Sequence, residues 1–133
     1  MVTQNVSTTT TPSDWLAGAL QAIAGRVADV IYYLQANGFS MQYITASGGL
    51  SNSNYLLQAQ ADFLGHDIHI QSQTESTVLG AAMLAALQLG WNISTWLQPT
   101  NKVVLPQVPP HVSQESYHAW QQFVQQHRAA VHP

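Results

Sequence analysis

At 133 residues the chain has room for one globular domain and hardly a second, which excludes a large two-domain enzyme. Hydrophobic residues make up 46% and can bury a core, but charged residues make up only 7% against roughly 25% in a typical soluble domain, so the surface has to be polar without charge, a role sixteen glutamines can fill. A net charge of -3 with three Lys plus Arg leaves no basic footprint for a phosphate backbone and argues against duplex DNA or RNA as a partner.

Residues 1–11, rich in Thr, Ser, Asn and Gln, read as a solvated polar tail, and residues 12–133 as a single domain. Thr11, Pro12 and Asp14 make a helix start: a hydroxyl cap, proline at the first helical position and an acid facing the positive end of the dipole. Leu16, Leu20, Ile23, Val27, Val30, Ile31 and Leu34 then recur in steps of three and four and predict one buried stripe, stopped by Asn37 and Gly38. Met41 to Ala46 predicts a strand running into a tight turn at Ser47, Gly48 and Gly49, followed by a helix from Tyr55 to Leu64 closed by Gly65. Asp67 to Gln71 alternates like a short strand. Glu75, Ser76 and Thr77 open a further helix whose apolar, alanine-rich stretch from Val78 to Leu89 reads as buried and ends at Gly90. Beyond it, Asn92 to Gln98 predicts a helical turn, Val103 to Leu105 an extended segment, Pro106, Pro109 and Pro110 a stiff connector, and Ser113 to Ala130 an amphipathic helix carrying Tyr117, Trp120, Phe123 and Val124.

Strands alternating with helices imply an α/β domain with parallel pairing. Two strands with flanking helices leave both sheet edges open, which a small isolated domain rarely tolerates, so either helices cover the edges or a second copy pairs with Met41 to Ala46. The longest apolar stretch is about twelve residues, short of the roughly 18 to 20 that span a bilayer, and predicts no membrane. The amino terminus lacks the basic and apolar regions of a secretory signal, and with no cysteines in the chain a cytoplasmic location is the expectation.

The strongest local feature is strand, Ser47-Gly48-Gly49, helix: a glycine turn lets a ligand reach backbone amides, and the following helix presents free N-H groups. The lysine and spaced glycines of a phosphate loop are missing, as is the dinucleotide fingerprint, so a plain tight turn stands beside nucleotide binding as a reading. Thr45-Ala46-Ser47-Gly48-Gly49 also resembles a nucleophile elbow with threonine in place of its first glycine. His66 and His69, three apart in a strand, point to opposite faces, and His118 and His127 lie on opposite sides of their helix, so no metal site is expected. Glu75 reads as charge at a helix start, and Trp120 with Phe123 as core rather than a platform for bases.

Thr45-Ala46-Ser47-Gly48-Gly49-Leu50-Ser51, with Leu56, Gln60, Ala61, Asp62 and Leu64, followed by Glu75-Ser76-Thr77-Val78-Leu79-Gly80-Ala81-Ala82, resembles the carboxy-terminal domain of the FGGY carbohydrate kinases, nearest to their glycerol kinases. Asn5 to Pro12 resembles the family's Gly-Leu-Thr-x-Gly-Thr-Thr segment, with Asn5 and Thr9 in place of its glycines. The resemblance implies part of an actin-like, ribonuclease H-like ATPase fold. It implies a parent enzyme that transfers the ATP γ-phosphate to a sugar or polyol, using ATP/ADP with Mg. The adenosine side of the nucleotide site then falls at Gly48, Gly49, Ser53 and Asn54, with Ser53 where the family often has Asn, and Glu75 and Gly80 are structural. The family's catalytic base, substrate pocket and first phosphate-binding segments lie upstream of anything in these 133 residues. The expectation is therefore a fragment without catalysis of its own, since phosphoryl transfer needs in-line positioning and charge neutralisation that half a site does not supply. Its expected partners are nucleotide and either a second copy, as a homodimer, or a complementary kinase domain. The alternative is a non-catalytic binding or assembly protein that retains the fold.

Overall fold

The computed structural model describes residues 6–71, 75–96 and 102–128. Asn5 and the rest of residues 1–5, Gln98 and Ala130 lie outside the described residues. The elements are α1 (Pro12–Ala36), β1 (Ile44–Ala46), a 3-10 turn (Gly49–Asn52), α2 (Asn54–Leu64), β2 (Ile68–Ile70), α3 (Ser76–Gln88), β3 (Lys102–Val104) and α4 (Pro110–Arg128).

Before α1, the Thr10 amide donates to the Ser7 carbonyl at 3.1 Å and the Ser7 amide to Thr10 Oγ1 at 2.9 Å, a hydrogen-bonded turn on the surface. At the start of α1, Asp14 N donates to Thr11 Oγ1 (3.3 Å), while the Thr11 amide (2.8 Å) and hydroxyl (2.7 Å) donate to Asp14 Oδ2. This capping box satisfies the first free amides of the helix. These bonds to the charged carboxylate hold the Asp14 pKa below its usual value. At the other end Gly38 takes φ +87°, the left-handed conformation the sequence predicts.

The buried face of α1 matches the expected stripe in part: Leu20, Val27, Ile31 and Leu34 are half-buried, and Ile31 packs against the core. Ala24, Gly25 and Ala28 are buried, whereas Leu16, Ile23 and Val30, spaced by seven, are exposed. At Gly25 α4 lies close: a Cβ added there would sit 2.6 Å from the Trp120 ring, so only glycine permits the approach. Trp120 Nε1 donates to Asp29 Oδ2 (3.1 Å), Arg26 pairs with the same oxygen (3.2 Å), and its guanidinium lies 5.6 Å from the indole centre. The Tyr32 ring packs against that of Tyr117, tilted by 39° at 4.4 Å, and its hydroxyl donates to the Phe63 and Leu64 carbonyls (3.3 and 3.2 Å). Burial raises the Tyr32 pKa; burial and the nearby Asp29 carboxylate raise that of Tyr117.

The sheet holds three strands in the order β1-β2-β3, one more than the expected pair. β1 and β2 are parallel as expected, with Ile44 opposite Ile68 and Ala46 opposite Ile70, and the Gln71 amide extends the ladder to the Ala46 carbonyl (3.0 Å). β1 is shorter than Met41 to Ala46 because its partner offers only three residues. β3 adds antiparallel to β2, with Val104 opposite Ile68 and Lys102 opposite Ile70. Two β-branched residues carry it, and α2 anchors its exit: Gln58 Nε2 donates to the Leu105 carbonyl (3.0 Å) and the Gln107 amide to Asp62 Oδ1 (2.7 Å). β2 is thereby paired on both sides, and the outer edges of β1 and β3 have no strand beside them among the described residues.

The core sits between α1, α2 and one face of the sheet: Ala28, Leu57, Ala61, Leu64 and Ile68 are buried, with Ile44, Ala46, Ile70 and Val104 packed against them. Leu57 and Ile68 are its largest fully buried side chains. The alternate strand positions Thr45, His69 and Val103 point away from this layer, and Val103 is 42% exposed. The apolar helix read as buried is not. Of α3 only Ala86 is buried, while Val78, Leu84 and Leu87 are more than half exposed. Gly90, at φ +75°, ends it as expected.

Candidate functional site

β1 and β2 run side by side and deliver their carboxyl ends to the same rim of the sheet, the place where open α/β sheets bind ligands. Gly48 leaves β1 at φ +91° and ψ -179°, a conformation that only glycine adopts without strain. Its carbonyl is turned inward and accepts from both the Ser51 amide (3.0 Å) and the Ser51 hydroxyl (2.7 Å). Gly49 then opens the 3-10 turn, and a Cβ built on it meets no heavy atom within 4 Å. The sequence places the helix from Tyr55, after a gap that begins at the glycines; the structure fills that gap with the 3-10 turn and starts α2 at Asn54.

Ser53 caps α2: its Oγ accepts from the Leu56 amide at 3.3 Å, and its carbonyl accepts from the Leu57 amide at 3.1 Å. Asn54 Oδ1 accepts from Lys102 Nζ at 3.0 Å. The structure thus brings Gly48, Gly49, Ser53 and Asn54 together on one continuous segment at the sheet rim, and adds Lys102, which the sequence reading passed over. Lys102 was legible only through pairing: the antiparallel register sets it opposite Ile70, itself opposite Ala46, and so beside the turn that β1 enters.

Glu75 stands at the start of α3 with no side-chain capping bond, and its backbone carbonyl accepts from the Leu79 amide at 3.0 Å. Gly80 has nothing within 4 Å of a built Cβ, so it is under no steric demand from the described residues. Asp62, part of the same motif pair, has a structural role through Gln58 and Gln107. Ser47 hydrogen-bonds to no histidine or acid among the described residues, which leaves the nucleophile elbow without a base. A separate cavity of about 210 Å³ opens at the opposite, amino-terminal end of β1 and β2, lined by Met41, Tyr43, His66, Asp67 and His69 among others. His69 meets the edge of Tyr43 there at 5.6 Å, and no group of three or more potential metal ligands assembles among the described residues. No described helix is long and apolar enough to cross a membrane.

The C-terminal domain of the FGGY family of carbohydrate kinases matches residues 2–89. The chain is 34% identical over 129 residues to a glycerol kinase of Pediococcus pentosaceus, covering 92% of this chain and 25% of that protein, and 43% identical over 83 residues to one of Streptococcus uberis, covering 62% and 17%. Among solved structures it superposes on a xylulose kinase from Rhodospirillum rubrum with a TM-score of 0.77 at 21% identity, over 98% of this chain and 28% of that one. On a Plasmodium falciparum glycerol kinase with ADP the TM-score is 0.75 at 21% identity, over 92% and 26%. The chain therefore spans about a quarter, or less, of the length of the relatives it matches. The α/β class and the actin-like kinase fold that the resemblance implies are the ones these structures share with it. With the glycine turn, the α2 motif and the opening of α3 all inside the matched span, the chain belongs to the FGGY family of carbohydrate kinases.

Proposed function

We propose that the chain supplies the adenosine side of the nucleotide site of an ATP-dependent sugar or polyol kinase, with a glycerol-type acceptor favoured by the relatives, and that it does not transfer phosphate by itself. The observation that carries the reading is the open Gly48-Gly49 turn at the carboxyl rim of the parallel strands, inside the stretch that matches the family's C-terminal domain. A glycerol kinase of the same fold holds ADP. The turn offers exposed backbone and an uncrowded approach, and Ser53 and Asn54 stand at the start of the next helix. ATP or ADP with magnesium is the ligand this reading requires. In-line transfer needs a base and groups that neutralise the phosphates, and the described rim contributes a single lysine, Lys102, already bonded to Asn54.

Calorimetric titration with ADP and magnesium tests this. Saturable binding at millimolar affinity or tighter, weakened by Gly49→Val in a chain that still folds, is the expected result. The valine has room because nothing lies near the Gly49 Cβ position, so loss of binding reports ligand approach rather than misfolding. Binding that Gly49→Val leaves unchanged, or no heat from a folded chain, contradicts the reading. The latter favours a non-catalytic assembly protein, for which the Ser53 hydroxyl, spent on capping Leu56, is the supporting observation.

A further inference from the structure

We propose that Lys102 is a positioning residue for the nucleotide site: it fixes the carboxamide of Asn54 with Oδ1 turned toward β3, so that Nδ2 is held as a donor for an acceptor atom of the bound base. The proposal rests on the nucleotide reading above. Lys102 is the only lysine in the chain. Its Nζ lies 3.0 Å from Asn54 Oδ1, and among the described residues it pairs with no carboxylate. An ammonium group has three donors and no acceptor, so only the oxygen end of the amide can face it. The contact settles an orientation that the broad, two-fold terminal torsion of asparagine would otherwise leave open. Nδ2, on the other branch of the amide, is thereby turned away from Lys102, and Asn54 is exposed at the rim.

Exposed lysines commonly swing too freely to hold a neighbour in place. This one is tied down through its backbone. β3 pairs Lys102 with Ile70. Asn54, Gln58 and Asp62 follow one another at helical i, i+4 spacing and so share one face of α2. All three reach β3 or the segment just beyond it: Asn54 accepts from Lys102, Gln58 Nε2 donates to the Leu105 carbonyl (3.0 Å) and to Asp62 Oδ1 (3.0 Å), and Asp62 Oδ1 accepts from the Gln107 amide (2.7 Å). The backbone that carries the lysine is therefore fixed to the helix that carries the asparagine, and less freedom remains to be lost when the two side chains meet. An N-H presented at this point favours a ring nitrogen or carbonyl oxygen of a base and rejects an amino group there.

The test is a titration of the isotope-labelled chain with ADP and magnesium, followed by nuclear magnetic resonance. The Asn54 side-chain amide signals report the lock, and the saturating shifts report affinity. Lys102→Met should move the Asn54 amide signals and, by letting two amide orientations populate, weaken ADP binding roughly two- to fivefold. Lys102→Arg, which still donates, should return both toward those of the unmodified chain. Asn54→Asp keeps a partner for Lys102 but has no N-H to offer, and should weaken ADP and phosphate-free adenosine alike, by roughly tenfold or more. Asn54 signals indifferent to Lys102→Met overturn the proposal, as does a Lys102→Arg chain that behaves like Lys102→Met, or an Asn54→Asp chain that binds adenosine undiminished. If the unmodified chain binds no ADP, the nucleotide reading falls by itself. The lock is then upheld by Asn54 signals that shift in Lys102→Met and return in Lys102→Arg, and overturned by signals that stay put.

Discussion

α2 and α3 are both short, glycine-terminated helices that follow a strand, yet the chain treats them in opposite ways. α2 buries Leu56, Leu57, Ala61 and Leu64, is capped by Ser53, and ties down β3 through Gln58 and Asp62. α3 is the more apolar in composition, has no side-chain cap from Glu75 and buries Ala86 alone. The difference teaches that the apolar content of a helix does not by itself fix its burial, which depends on which neighbouring elements pack against it.

The largest effects should separate the two helices. Leu57→Ala removes a side chain that is 1% exposed at the centre of the core and should cost about 2–5 kcal/mol. Leu84→Ala on α3 should lie within about 0.5 kcal/mol of no change. Chemical denaturation of the two variants measures both, and equal losses would erase the contrast.

That contrast was half legible. The sequence identifies α2, its serine cap region and its closing Gly65, because capping and left-handed glycine chemistry are local. It misplaces the burial of α3 and part of that of α1, because burial is decided by neighbours: Trp120, far along the chain, is what makes Gly25 a covered position. β3 was legible as an extended segment at Val103 to Leu105 but not as a strand of the sheet, for the same reason: its pairing comes only through β2 and the anchors from α2. At the site, Gly48, Gly49, Ser53 and Asn54 could be found as a contiguous motif. Lys102 could not, since only the antiparallel register brings it to Asn54.

A middle-sized effect sharpens the comparison from the α1 side. Gly25→Ala drives a methyl against the Trp120 ring and should destabilise by about 1–3 kcal/mol, read as a lower denaturation midpoint. Gly80→Ala on α3, with open space around it, should be neutral or mildly stabilising.

The smallest effect is at the amino-terminal cap. The Asp14 pKa is lowered in the folded chain, first by the Thr11 amide and then by the Thr11 hydroxyl, so the stability it lends is present above its ordinary value of 3.8. It should be lost as pH falls below that value through the folded pKa. A pH series of melting temperatures should show this acid decline flattened in Thr11→Ala, and an identical profile in the variant would remove the capping box from the account.

Residue-resolved hydrogen exchange of the chain tests the central contrast most directly. The account predicts that amides in α2 around Leu57 and Ala61 open only with global unfolding, and that those of α3 between Gly80 and Leu87 exchange at least roughly a hundredfold faster through local opening. Equal protection in the two helices would contradict it, and would mean that this chain covers α3 by itself.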